Sequence, residues 1–284
     1  NNKFTQLFES LTGMYGWPNY GEFDPTPVLA PFFLLFFAMC MGDCGYGILL
    51  IIIGLLIAKK KLNIEMFDGL GPIITVLGVG TTVVGFFLGT FMGIDLYAAE
   101  WMPQALKSVM IKGEVMGYDI QMVLALCIGV FHICLAMVVK AICYTKQFGF
   151  KENIATWGWT LLIVGGLLVA ILGMTVLPAA VFKGAIIAVG VVSALAIYIF
   201  NTPGRNPLIN IGAGLWETYN MATGILGDVL SYIRLYALGL AGGMLGAAFN
   251  NLGLMVMGGS TEGATWQWLP FVLILVLGHV LNLA

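Results

Sequence analysis

The sequence predicts an all-α protein: a polytopic helical membrane protein with about seven to eight transmembrane helices, long and tilted near the C-terminus. Three observations carry this. Of the 284 residues 60% are hydrophobic and 9% charged, whereas soluble domains carry roughly 25% charged residues. The apolar residues fall in long blocks, each near the ~20 residues that cross a ~30 Å hydrocarbon layer. The blocks are also continuous, whereas a membrane barrel shows short alternating segments. Only helices and closed barrels satisfy the backbone in lipid, so the blocks are helices.

Taken in order, residues 1–27 form a polar lead-in with turn signals at Pro18, Gly21, Pro25 and Pro27. Residues 28–284 form the membrane domain, with apolar blocks at about 28–58, 69–94, 119–141, 154–177, 180–200, 212–258 and 266–284. The sixth is too long for one perpendicular crossing. It is either a segment broken at Gly224 or Gly227 before a span, or one long tilted helix. The chain opens without an initiator Met and stops inside the run that begins near Trp266. A terminal carboxylate there would sit in lipid. Both ends therefore read as cuts from a longer protein, with the last helix truncated.

The 38 glycines are spaced. "GFFLGTFMG" is expected to set Gly85, Gly89 and Gly93 on one helical face, and Gly239/Gly243 and Gly242/Gly246 repeat the interval. Such faces let helices approach closely in lipid. Five cysteines lie in or beside apolar runs without the paired spacing of a disulfide framework or zinc site. No metal or other cofactor is expected, and the absence of basic clusters argues against nucleic acid. Loops after the first, third and fifth blocks hold Lys59, Lys60, Lys61, Lys146, Lys151 and Arg205. The positive-inside rule places those loops in the cytoplasm and residue 1 outside.

A few polar residues interrupt the apolar blocks: Asp43, His132, Glu217, Asp228, Arg234 and His279. A charge at mid-bilayer costs ~2.5–3.5 kcal/mol on insertion scales, so such residues are usually functional. On an unbroken helix Gly227, Ser231, Ala237, Leu238, Ala241 and Ala248 lie within ~60° of Arg234, as does Asn220. Asp228 lies about 120° away, so the counter-charge must come from another helix or another chain. Arginine cannot shed its proton to escape the cost. Asp43 sits between glycines, where the helix can break and satisfy the carboxylate with backbone donors; it is either a structural pin or an ion-path group. His132 is either a hydrogen-bonded core residue or a proton relay, and Glu217 and Asp228 line the water-facing start of the sixth block. No HExxH zinc motif, GxSxG elbow or phosphate-binding GK[ST] loop is present, so the chain is not an enzyme by itself. A secondary transporter, with its site between broken helices, and a purely structural anchor, with Arg234 as a helix lock, are the competing classes.

"GDVLSYIRLYALGLA" at 227–241 resembles the signature of the a subunit of vacuolar-type rotary ATPases, called subunit I in bacterial and archaeal enzymes. "DPTPVLAPFFLLFFAMCMGDCGYGILL" at 24–50, "LALCIGVFHICLAMV" at 124–138 and "GHVLNLA" at 278–284 agree, in order along nearly the whole chain. The resemblance implies a stator beside a rotor ring of small membrane subunits with buried carboxylates, with Arg234 facing the ring. It implies ion half-channels that couple H+ or Na+ translocation to rotation. Asp43, His132 and His279 match recurring polar positions, and Glu217, Asn220, Asp228 and Ser231 are candidates to line a half-channel. Peripheral and central stalk subunits are the partners implied for the missing cytoplasmic domain. Gly242 and Gly243 stand where the vacuolar form has a histidine and polar residues, which favours the prokaryotic subunit and a prokaryotic plasma membrane. The family's second arginine falls just beyond "GHVLNLA". The family's orientation puts residue 1 on the cytoplasmic side, opposite to the lysine count.

Overall fold

The computed structural model describes residues 2–62, 64–259 and 264–284. Its helices divide into two compact units, Asn1–Leu126 with Tyr232–Ala284, and Cys127–Ser231. Among the described residues six helical segments are long and apolar enough to cross a membrane, and two shorter apolar helices precede them. The protein is an all-α polytopic membrane protein, and its outward faces carry the apolar surface that lipid covers: Ile171, Ile187 and Leu269 are more than half exposed.

In the first unit the lead-in is itself helical. Helices α1 (Lys3–Leu7) and α2 (Glu9–Tyr15) flank Phe8, which is fully buried with Ala30, Ile73 and Leu77. Thr12 Oγ1 and Thr26 Oγ1 share a hydrogen bond of 2.7 Å, and Asp24 accepts from the Thr26 amide at 3.0 Å. The lead-in is therefore docked onto the first membrane helix.

The block 28–58 is two helices, α3 (Thr26–Met41) and α4 (Cys44–Ala58), broken at Gly42 and Asp43. Gly42 has φ +56°, a left-handed conformation that a side chain would strain. Asp43 then caps α4. Helix α5 (Gly71–Leu88) lies against α4 along a glycine seam. A Cβ at Gly78 would stand 2.7 Å from Ile51 N and 2.9 Å from Gly47 O, so backbone meets backbone there.

Gly85, Gly89 and Gly93 do not share a helical face, contrary to the pattern's suggestion. Helix α5 ends at Leu88, Gly89 is its left-handed cap, and Gly93 lies in a hairpin of strands β1 (Thr90–Phe91) and β2 (Ile94–Asp95). Glycines four residues apart fit a close-packing stripe and two consecutive turns equally well. Helix α6 (Gln104–Lys107) and a second hairpin, β3 (Glu114–Val115) and β4 (Tyr118–Asp119), follow.

Helix α7 (Ile120–Phe148) is longer than the apolar block suggested, because lysine and threonine continue its last turns. In the second unit α8 (Ile154–Thr160) runs through a π-helical turn, Leu161–Gly165, into α9 (Gly166–Thr175). Helix α10 (Ala179–Ala194) ends in another π turn, Leu195–Ile199. Asn153 ties the α7–α8 corner by donating to the carbonyls of Tyr144 (3.1 Å) and Gly149 (2.9 Å). Asn210, in the first turn of the next long helix, does the same by donating to Ile199 O and Thr202 O.

Helix α11 runs from Pro207 to Val256, 50 residues without interruption. Neither Gly224 nor Gly227 breaks it, so the single-helix alternative holds. Helix α12 (Trp268–Leu283) completes the first unit.

Candidate functional site

The polar residues of the membrane domain separate into three settings. The first is a buried knot in unit one. Asp43 is 2% exposed, and its carboxylate accepts four backbone N–H groups: Gly45 (2.9 Å) and Tyr46 (3.4 Å) from its own helix end, Met92 (2.7 Å) and Gly93 (3.0 Å) from the β-hairpin. The negative charge lies at the positive end of α4, where the helix dipole favours it. Oδ1 takes three of these amides and Oδ2 one, so the carboxylate is tied to its own helix end and to the hairpin. The other branch of the knot centres on His279, also buried. Its Nδ1 is 2.8 Å from the Tyr46 hydroxyl and its Nε2 3.0 Å from Asn250 Oδ1. Asn250 Nδ2 donates to Met92 O at 2.8 Å, which joins the two branches. Asn282 Nδ2 donates to Tyr46 Oη (2.7 Å) and Gly242 O (2.9 Å).

The second setting is Arg234. Its side chain is exposed on α11 and makes no ion pair or hydrogen bond with any described residue. In the first unit Ala237, Leu238, Ala241 and Ala248, the residues on its side of the helix, are exposed with it. The opposite side of α11 borders a cavity of about 520 Å³ lined by Asp95, Lys112, Glu114, Asp119, Gln121 and Tyr236, among others. Tyr236 and Gly243 fall roughly 160–180° from Arg234 at ~100° per residue. There the Tyr236 hydroxyl donates to Asp119 Oδ2 at 3.1 Å, while Asp119 Oδ1 caps α7 by accepting from Gln121 N at 2.9 Å. Lys112 pairs with Asp95 at 3.5 Å across the cavity wall.

The third setting lies in the second unit. His132 on α7 is half-buried and within electrostatic reach of the Asp228 carboxylate. Asp228, Asn220 and Ser231 are exposed and Glu217 is half-buried. Ser231 donates back to Gly227 O at 2.9 Å, so its oxygen remains an acceptor toward the surroundings. Two residues before Asn220, Thr218 shares a 2.8 Å hydrogen bond with the Tyr198 hydroxyl.

The structure thus brings Asp43 and His279 into one network, sets His132 within electrostatic reach of Asp228, and leaves Arg234 without a partner among the described residues. Tyr46, Asn250, Asn282, Asp119 and Tyr236 were not singled out from sequence. A signal existed for one of them: Asn282 follows His279 by three residues, the spacing that puts both on one helical face. Tyr46 and Asp119 meet partners more than a hundred residues away, which no local pattern encodes.

Arg234 thus stands on an exposed small-residue face, and a polar cavity borders the opposite side of the same helix. The V-type ATPase 116kDa subunit family matches residues 1–99. An A-type ATP synthase subunit I of Methanocaldococcus jannaschii is 31% identical over 316 residues, covering 99% of this chain and 43% of the relative. One from Pyrococcus abyssi is 30% identical over 290 residues, covering 100% and 41%. A V-type ATP synthase subunit I of Borreliella burgdorferi is 30% identical over 278 residues, covering 94% and 44%. The chain belongs to this family of A-type and V-type ATP synthase subunit I. It spans less than half the length of these relatives.

Proposed function

We propose that this chain is the membrane part of the stator of a V/A-type rotary ATPase, and that Arg234 faces the buried carboxylates of a rotor ring. The observation that carries the reading is the bare arginine: a permanent cation, exposed on a strip of alanines, with no acidic partner among the described residues. An unpaired charge at membrane depth costs several kcal/mol. A carboxylate delivered by another subunit removes that cost, and the small side chains let a partner helix come close.

In this reading an ion arrives through an aqueous path and neutralises a ring carboxylate, which then travels through lipid. The ion leaves by a second path on the other side. Arg234 attracts each returning carboxylate, keeps it ionised, and bars ions from crossing without rotation. The cavity bordered by Asp119, Glu114 and Tyr236 is suited to be a wet vestibule for one path. His132, Asp228, Glu217, Asn220 and Ser231 are the candidates for polar lining in the second unit. An ion falling through 100 mV yields ~2.3 kcal/mol per charge, the work coupled to ATP. The lipid bilayer of a prokaryotic plasma membrane, the rotor ring and the stalk subunits are the partners this role requires.

The test is ATP-driven ion uptake into liposomes by the full complex, with Arg234 intact or Arg234→Gln, and subunit composition measured on the same preparations. The stator reading predicts an assembled complex whose uptake falls to the liposome background. Uptake that survives in an assembled complex makes Arg234 a structural residue and overturns the reading.

A further inference from the structure

We propose that His279 is an uncharged positioning residue, held between Tyr46 and Asn250 as the Nε2–H tautomer, and that it orients α11 instead of carrying a proton. The inference rests on the stator reading for its functional consequence, but its geometry stands apart from it.

The hydrogen-bond directions follow one from another. Asn250 Nδ2 donates to the Met92 carbonyl, which turns Asn250 Oδ1 toward His279. A carbonyl oxygen only accepts, so the hydrogen between them sits on Nε2. On the other side, Asn282 Nδ2 donates into the Tyr46 oxygen, leaving the hydroxyl's own hydrogen to go to Nδ1 of His279. Nδ1 therefore receives, and the ring is neutral. Each donor in the chain Asn282–Tyr46–His279–Asn250–Met92 then has an acceptor. A second proton, on Nδ1, would face the Tyr46 hydrogen and force it to turn away in a site where Tyr46 is 2% and His279 8% exposed. Buried donors without acceptors are strongly avoided. The groups facing the ring are Tyr46 and, beyond it, the Asp43 carboxylate from α4, and Asn250 from α11; Asn282 lies on its own helix. Asp43 accepts four backbone amides, three on Oδ1 and one on Oδ2, and its hydrogen bonds run to the backbone and not to the ring.

The clasp joins α4, α11 and α12 at Gly242 and Asn250, roughly two to four turns beyond Arg234. A Cβ at Gly246, between them, would stand 3.1 Å from Gly93 Cα and 3.4 Å from the Tyr46 hydroxyl, so this part of α11 packs closely against the hairpin and α4. Fixing its rotation fixes the direction in which Arg234 projects.

The experiment compares His279→Gln, His279→Ala, Tyr46→Phe and Arg234→Gln in the full complex, measuring ATP hydrolysis, ATP-driven uptake and subunit composition. A glutamine amide can accept from Tyr46 and donate to Asn250, yet it cannot take a proton at neutral pH. His279→Gln is expected to keep uptake within about threefold of wild type, the cost of imperfect hydrogen-bond geometry. His279→Ala is expected to lose uptake or assembly, with Tyr46→Phe between the two. If glutamine fails as badly as alanine in an assembled complex, the ring's protonation matters and the proposal is overturned. A retained uptake in Arg234→Gln sinks the stator reading alone. In that case ¹⁵N-histidine spectra of the complex, read as the difference from His279→Gln, judge the clasp. An Nε2–H signal constant between about pH 5 and 8, the range in which an ordinary histidine titrates, supports it, and a charged ring overturns it.

Discussion

Asp43 and Arg234 are both single charges set in long apolar stretches, and the fold treats them in opposite ways. Asp43 is enclosed, capped on one side by its own helix and on the other by the β-hairpin, with four amide donors around two oxygens. Arg234 is exposed and answered by nothing in the described chain. The same contrast holds for small residues. Gly47 and Gly78 disappear into the contact between α4 and α5, whereas Ala237, Ala241 and Ala248 line a face that stays bare. One charge has its partners inside the chain, and the other is left open to the surroundings.

The largest effect on folding is expected from Asp43→Ala. It removes a helix cap worth ~0.5–2 kcal/mol and leaves buried amides unsatisfied at ~1–3 kcal/mol. A loss of about 3–4 kcal/mol in unfolding of the detergent-solubilised protein is anticipated, and a loss under about 1 kcal/mol would remove Asp43 from the role of pin. Next comes Gly78→Leu, which drives a side chain into the backbone of Gly47 and Ile51 and should cost ~1–3 kcal/mol. Ala241→Leu is its counterpart on the bare face: stability should stay within about 0.5 kcal/mol, while uptake by the whole complex falls because the rotor can no longer approach. Equal melting curves for the two leucine variants would erase the distinction between the seam and the open face.

A smaller change is expected from Tyr236→Phe, which deletes one hydrogen bond to Asp119 worth about 1 kcal/mol. Thermal unfolding measures it, and no shift would mean that solvent in the cavity replaces the hydroxyl. Smallest of all is Arg234→Gln, which should leave unfolding within about 0.5 kcal/mol of the parent because no intrachain partner is lost. A marked destabilisation there would reveal a structural role and blur the contrast with Asp43.

Reading the chain as helices was possible because lipid demands it: continuous apolar blocks of spanning length have few other solutions. The break at Asp43 was legible for a related reason, since a carboxylate between glycines is a natural helix cap. The position of Arg234 among small residues also followed from 100° per residue, once α11 was taken as unbroken. Other features were not legible. "GFFLGTFMG" reads as one helical stripe, yet Leu88 ends the helix because the second and third glycines take left-handed turns. The helices in the lead-in depend on Phe8 finding Ala30, Ile73 and Leu77, contacts that local composition does not specify.

Membrane residence, helical class and the residues that lipid should have rejected were therefore written into composition and period, which are local properties of the chain. Which of those residues are satisfied and which stand open depended on long-range meetings: Tyr46 with His279, Asn250 with Met92, Tyr236 with Asp119. A hydrogen bond needs both partners within about 3 Å, and only the folded arrangement of α4, α11, α12 and the hairpins brings them that close.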